Sequence, residues 1–180
     1  MRVLAIPGSV RAASSNVALL HALSALAPDG VQIELYEGLV ELPMFSPDVA
    51  DAALPAAVTE LSARVAAADA VIICTPEYAF GMPGVLKNAL DWLVSSGDLY
   101  EKPVAALSAS PNEGGAARAL GWLRETLSAH HAYVPAGATF AIPFVRKLLG
   151  PAGVVDPALV AALRGALESL SVAVAARAAG

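Results

Sequence analysis

The stretch that decides the fold is "RVLAIPGSVRAASSNVALL", residues 2–20. Residues 2–6 are a short, mainly apolar run typical of a buried strand, and Pro7 and Gly8 end it. The residues from Ser15 onward are typical of a helix, and an arginine and several small polar side chains lie in between. A strand followed at once by a polar turn and a helix predicts the first unit of an alternating α/β chain.

The remainder of the chain repeats this alternation without a linker or an internal repeat. We predict strands at 2–6, 31–36, 70–75, 103–110 and 139–143. We predict helices at 15–27, 55–68, 84–95, 115–130 and 157–176. This order indicates one domain, residues 1–180, built as a three-layer α/β sandwich with a parallel sheet between two layers of helices. Five strands favour the flavodoxin-like order 2-1-3-4-5, in which a ligand binds beyond the carboxyl ends of the strands.

The composition excludes several classes of protein. With 57% hydrophobic and 15% charged residues, the chain is too apolar to be disordered. A net charge of -5 without a cluster of lysine and arginine predicts no nucleic-acid partner. We expect no membrane partner, because no uninterrupted apolar run reaches roughly 18 residues. The N-terminus lacks a leader pattern, and Cys74 is alone in the sequence, so we expect a soluble, cytoplasmic protein without internal disulfides.

The loop after the first predicted strand is rich in hydrogen-bond donors. Its polar side chains are Ser9, Arg11, Ser14, Ser15 and Asn16. The arginine can bind two phosphate oxygens, and the following helix offers free N–H groups and the positive end of its dipole. The loop has neither a Walker sequence nor Gly-x-Gly-x-x-Gly, so a single phosphate monoester suits it best. An ordinary turn remains the alternative, with Ser14 or Ser15 capping the helix and Arg11 in solvent.

The loop after the third predicted strand begins "PEYAFGMPG", residues 76–84. Two prolines and two glycines make its backbone stiff. A stiff loop can present N–H and C=O groups to the edge of a flat heterocycle, with Tyr78 and Phe80 as aromatic surface beside it. The alternative is a rigid connection whose aromatic side chains seal the core or a subunit contact.

The loop after the fourth predicted strand is "SASPNEGGAAR", residues 108–118. Ser108, Ser110 and Gly115 are small enough to let a planar ligand lie against the backbone. Arg118 begins the next helix and either orients the loop, meets an anionic group or is an ordinary surface arginine.

Other reactive residues are given ordinary roles. His130 and His131 are adjacent and do not share a helix face, so we expect no metal site. Cys74, inside the third strand, is expected to be a small buried apolar residue, and Glu77 a carboxylate in water. Ser9 lacks the Gly-x-Ser-x-Gly turn of a hydrolase nucleophile, so no catalytic residue is predicted.

Taken together, the three loops resemble those of the NADPH-dependent FMN reductase family of flavodoxin-like proteins, which includes quinone, azo-dye and chromate reductases. "GSVRAASSN" (8–16) is similar to the family's G-S-x-R-x-x-S-x-N. "TPEYAFGMPGVLKNALDWL" (75–93) resembles its T-P-E-Y-N-x-S-x-P-G-x-L-K-N-A-[LI]-D-W. "SASPNEGGAAR" (108–118) resembles its S-x-S-P-G-x-x-G-G-x-R. The resemblance runs to about Leu127 and fades beyond Tyr133.

The resemblance implies FMN as the cofactor, NADPH or NADH as the co-substrate, and a quinone, an azo compound or a similar small molecule as the electron acceptor. It also implies a homodimer or a dimer of dimers. Trp92 and Leu93 are expected contact residues of that dimer, and the alternative is that they belong to the core. The implied cofactor-binding residues belong to three groups. The first group holds the phosphate and comprises Ser9, Arg11, Ser14 and Asn16, with Ser15 nearby. The second group lines the flavin ring, largely through backbone groups, and comprises Pro76, Glu77, Tyr78, Ala79 and Phe80. The third group lies near the other side of the ring and comprises Ser108, Ser110 and Gly115.

Two departures from the family pattern lie in the second loop, and in the third loop Asn112 and Glu113 replace glycine-like positions. Ala79 stands where the family has asparagine, and Gly81 where it has serine. Loss of one hydrogen bond costs about 0.5–1.5 kcal/mol, or up to roughly tenfold in affinity. Two alternatives accompany the reductase interpretation: an FMN-binding electron carrier, and a degenerate family member in which Ala79 and Gly81 weaken flavin binding.

Overall fold

The computed structural model describes residues 1–11, 13–49, 54–150 and 153–179. Its main sheet contains β1 (Arg2–Pro7), β2 (Gln32–Leu35), β3 (Ala70–Thr75), β4 (Val104–Ala109) and β5 (Thr139–Ile142). All neighbouring strands are parallel, and their order is β2-β1-β3-β4-β5. The predicted flavodoxin-like order is confirmed.

With the exception of one short helix, the helices fall at the predicted places, with ends that differ by a few residues. They are α1 (Ser15–Ala25), α2 (Ala56–Ala67), α3 (Gly84–Ser96), α4 (Ala117–Ala129), α5 (Val145–Leu148) and α6 (Pro157–Ala179). The sequence interpretation missed α5 and the short hairpin of β6 (Leu149–Gly150) and β7 (Gly153–Val154) that follows it. Elements of two to four residues carry no hydrophobic period, so only tertiary contacts define them.

The two faces of the sheet bury two separate cores, because alternate residues of a strand point to opposite sides. Val71 and Ile73 of β3 pack in one core with residues of α2, α3 and α4. Ile72 and Cys74 pack in the other with residues of α1 and α6. Strands β3 and β4 are buried at all six positions, as their continuous apolar sequence predicts.

The expectation that Trp92 and Leu93 contact a second subunit is wrong. Their side chains are only 5% and 1% exposed and belong to the core on the α3 side of the sheet. The indole N–H of Trp92 donates to the Pro43 carbonyl at 2.8 Å, and the Asn88 amide donates to the same carbonyl at 2.9 Å. This face of α3 therefore fixes the segment near Pro43 within the chain.

In the part of the chain that the structure describes, α6 alone is long and apolar enough to cross a membrane by length and composition. One third of its most apolar window is buried, and Leu163, Leu167 and Leu170 pack on the sheet beside α1. The core helix of a soluble protein meets the same criterion, so this finding is weak support for a membrane span.

Candidate functional site

The carboxyl ends of β1, β3 and β4 meet at one edge of the sheet, where the strand order reverses. A cavity of about 190 Å³ lies at this edge and is lined by all three loops that the sequence singled out. Nine of the predicted site residues line it: Ser9, Arg11, Ser14, Ser15, Asn16, Pro76, Glu77, Tyr78 and Ser110. Ala12 belongs to the first loop motif and lies outside the described residues.

Gly8 lets the first loop leave β1 in close contact with β3. Its amide donates to the Cys74 carbonyl at 2.8 Å. A Cβ atom at this position would lie 3.2 Å from the Thr75 Cα and 2.9 Å from the Leu86 side chain. A larger residue would push the loop, and with it the start of α1, away from the cavity.

Ser14 caps α1, as the simple-turn alternative predicted for Ser14 or Ser15. Its Oγ accepts hydrogen bonds from the amides of Asn16 and Val17 at 3.2 and 3.4 Å. The cap fixes the helix start beside the cavity, so the positive end of the α1 dipole faces any ligand there. Capping and anion binding are therefore compatible at this helix.

Asn16 is buried, and its side-chain amide contacts the sheet. The amide nitrogen donates to the Ala109 carbonyl at 3.4 Å, and the Cys74 thiol donates to the amide oxygen at 3.0 Å. Burial raises the pKa of the Cys74 thiol, which keeps the thiol protonated and able to donate. The first turn of α1 is thereby held on the ends of β3 and β4. The sequence predicted Asn16 as a phosphate ligand and did not reveal this bridge.

Within the second loop, Tyr78 and Gly81 pair with each other and close a tight turn of two residues. Each donates its amide to the other's carbonyl, at 2.9 and 3.0 Å. The two residues between them, Ala79 and Phe80, have φ angles of 49° and 67°. Both therefore adopt the left-handed conformation of a type I′ turn, which Asn-Gly adopts readily and which costs other residues about 1–2 kcal/mol each.

Side chains from α4 support this strained turn. A Cβ at Gly81 would lie 3.0 Å from the Trp122 ring, so the indole covers the turn closely. The Arg118 guanidinium lies 4.4 Å from the centre of the Phe80 ring. Phe80 is 65% exposed and lies, with Ala79, outside the cavity lining. The alternative that Tyr78 and Phe80 seal the core is wrong, since Tyr78 is also exposed.

Glu77 has a structural role in place of the solvent-exposed one expected. Its carboxylate accepts hydrogen bonds from the amides of Arg118 and Ala119 at 3.1 and 3.2 Å. The residue that precedes α4, Ala116, has no side chain able to cap. Glu77 supplies the negative charge that the helix start favours, and it joins the second loop to α4.

Ser108 and Gly115 lie beneath the third loop. The Ser108 hydroxyl donates to the Gly115 carbonyl at 2.7 Å, and Ser108 is fully buried. Gly115 has a φ of 58°, and a Cβ there would lie 2.9 Å from the Pro143 nitrogen, so both conformation and space require glycine. These residues shape the loop, whereas Ser110 lines the cavity.

Arg146, on α5, also lines the cavity and was not among the predicted site residues. Its signal in the sequence was the basic pair Arg146-Lys147, shortly after the fifth strand. Within the described residues, neither Arg11 nor Arg146 forms an ion pair. Two free guanidinium groups, serine hydroxyls and a helix start make a donor set suited to a phosphate monoester.

The fold is that of a flavodoxin-like protein, and this donor set lies at its switch point. Residues 1–147 match the family described as NADPH-dependent FMN reductase, and the chain belongs to that family.

Two relatives and one solved structure illustrate the similarity. An NAD(P)H-dependent FMN reductase of Pseudomonas aeruginosa is 41% identical over 129 residues, which cover 71% of this chain and 69% of the relative. A quinone reductase of Escherichia coli strain K12 is 35% identical over 130 residues, with the same shares. The structure of FerB, a flavoenzyme NAD(P)H:(acceptor) oxidoreductase from Paracoccus denitrificans, superposes with a TM-score of 0.83 at 27% identity and covers 96% of each chain. The predicted family and the predicted enzyme class, an oxidoreductase, are confirmed.

Proposed function

We propose that this protein binds FMN in the cavity at the ends of β1, β3 and β4 and transfers electrons from NAD(P)H to a small acceptor such as a quinone or an azo compound. The observation that carries the proposal is the convergence of all three family motifs on that one cavity. Membership of the FMN reductase family supports the cofactor and the co-substrate. The names of the relatives support a quinone as one acceptor.

Different residues of the chain bind the phosphate and the ring of the flavin. Arg11, the Ser14 hydroxyl and the first turn of α1 bind the phosphate. Tyr78, whose hydroxyl lies 3.4 Å from the Ser9 hydroxyl, places an aromatic side chain between the phosphate loop and the ring side of the cavity. The stiff backbone around Pro76 positions the N–H and C=O groups that meet the ring edge.

No side chain is needed as a catalytic acid or base. Glu77 is the carboxylate that lines the cavity, and its hydrogen bonds to α4 hold it in a structural role. FMN held by these residues would supply the redox chemistry, as a hydride acceptor for NAD(P)H and an electron donor to the small-molecule acceptor. The protein supplies binding, orientation and an open face that the two substrates use in turn.

A homodimer, alone or paired into a dimer of dimers, is part of the proposal. Its support is the exposed aromatic surface of Phe80 and Trp122 beside the cavity, 65% and 57% exposed in the single chain. Trp122→Ala should shift the mass measured by light scattering from dimer towards monomer, while Val172→Ala on α6 should not. We also propose that residues 1–180 act as one domain in the cytoplasm.

The first experiment is an anaerobic spectroscopic titration of the purified protein with FMN, then with NADPH or NADH. We expect flavin absorbance to shift on binding, to bleach with the nicotinamide, and to return when a quinone is added. Initial rates with both substrates varied should give parallel double-reciprocal lines. Binding without bleaching would replace the enzyme with an electron carrier, and no binding would overturn the proposal.

A further inference from the structure

Arg146 is the guanidinium that reaches the cavity from outside the three motif loops. It lies on α5, directly after β5, and lines the cavity beside Ser110 and Asn112. Its neighbour Lys147 is also exposed but does not line the cavity.

The backbone that carries Arg146 is fixed to the third loop. The Phe144 amide donates to the Asn112 carbonyl at 3.3 Å, and the Val145 amide donates to the Ser110 carbonyl at 3.0 Å. The Val145 side chain is fully buried in the core beneath. The Cα of Arg146 is therefore held relative to the cavity, and only its side chain needs to order when a ligand binds.

The charges around the cavity are not balanced within the described part of the chain. The ion pairs there join Arg64 to Glu34 and Glu60, and Lys87 to Asp91, all away from the cavity. The one carboxylate in the lining, that of Glu77, is engaged by two amides of α4. In a protein of net charge -5, two guanidinium groups without acidic partners on one cavity indicate an anionic ligand that carries more than one charge.

We propose that Arg146 is a specificity-determining residue that, with Arg11, clamps the phosphate dianion of the flavin and so selects FMN over riboflavin. The inference rests on the proposed function. A phosphate monoester presents three oxygens, enough to bind one guanidinium from the first loop and another from α5. Riboflavin carries the same ring without those oxygens, so it cannot use either arginine in this way.

The test compares Arg146→Gln with the matched control Lys147→Gln. Both remove one positive charge from adjacent exposed positions, and Lys147 lies over the Phe144 ring, with its Nζ 5.1 Å from the ring centre. Dissociation constants for FMN and for riboflavin are measured by quenching of flavin fluorescence. We expect R146Q to weaken FMN binding about 10- to 100-fold and leave riboflavin binding unchanged. K147Q should change neither, and R146K should restore part of the FMN affinity.

Other results would overturn the inference. Equal FMN affinities for R146Q and K147Q would remove Arg146 from the phosphate site. Equal losses of affinity for FMN and riboflavin in R146Q would mean that Arg146 has only a structural role. Thermal melts would then show that R146Q is less stable than the wild type. Unchanged FMN affinity with a raised KM for NADPH would assign the residue to the co-substrate. If the wild-type protein binds neither flavin, the proposed function fails as well, whereas wild-type binding of FMN with an unaffected R146Q overturns this inference alone.

Discussion

The first and second loops border the same cavity and are built in opposite ways. The first loop follows the family motif, has the local Ser14 cap on α1, and is joined to β3 and β4 through Gly8 and Asn16. The second departs from the motif at Ala79 and Gly81 and contains two residues with left-handed backbone. Distant side chains of α4, Trp122 and Arg118, support that turn. The first loop thus combines a local cap with contacts to the sheet, whereas the strained turn of the second loop depends on packing against α4.

The largest expected effect is a loss of FMN affinity when an arginine of the first loop is replaced. Arg11→Gln should weaken FMN binding about 10- to 100-fold, because a hydrogen bond to a charged group contributes about 1.5–3 kcal/mol. The matched control is Arg118→Gln, which removes the same charge from the turn-supporting side and lies outside the cavity lining. Fluorescence titration with FMN measures both, and an equal loss in R118Q would contradict the division of roles.

The next effect tests how the first loop is joined to the sheet. Asn16→Ala leaves the Ala109 carbonyl and the Cys74 thiol without partners and should lower the free energy of unfolding by about 1–3 kcal/mol. Cys74→Ala alone should cost less, because a thiol is a weak donor. Urea denaturation of both single variants and the double variant gives the coupling free energy between Asn16 and Cys74. Additive effects would show that their hydrogen bond does not contribute to stability.

A smaller effect concerns the contact between the second loop and α4. Glu77→Ala removes the acceptor for two amides at the start of α4 and should cost about 0.5–2 kcal/mol of unfolding free energy. Glu113→Ala, at an exposed position of the third loop, should stay within about 0.5 kcal/mol of the wild type. If the two variants melt alike, Glu77 does not cap α4.

The smallest expected effect is a gain. Ala79→Asn places a residue that tolerates left-handed backbone at a φ of 49° and should stabilise the fold by up to about 1 kcal/mol. The same substitution at the exposed helical Ala162 should be slightly destabilising, because asparagine is a poorer helix former than alanine. Thermal melts compare the stability of the two variants. A lower melting temperature for both would mean that the turn is not strained.

The strand order was predictable because it depends on signals that repeat along the chain. Continuous apolar runs such as 70–75 make strands buried on both faces, and the alternation with helices leaves few topologies. The switch-point rule predicts a site among the three loops that follow β1, β3 and β4, and all three line one cavity. Arg146 escaped this reasoning because it lies on a four-residue helix outside those loops, a piece too short to have a hydrophobic period.

By itself, the sequence determined the parallel sheet, the family and the polar character of the first loop, because strand runs, caps and glycine turns act over a few residues. The tertiary structure decided which side chains face the cavity and which hold it in place. The sequence predicts Asn16 as a phosphate ligand and the Glu77 carboxylate as exposed to water, yet the side chain of each is hydrogen-bonded to a distant element. Polar groups at a buried or crowded position bond to whatever the fold brings near, and that depends on contacts between residues far apart in the chain.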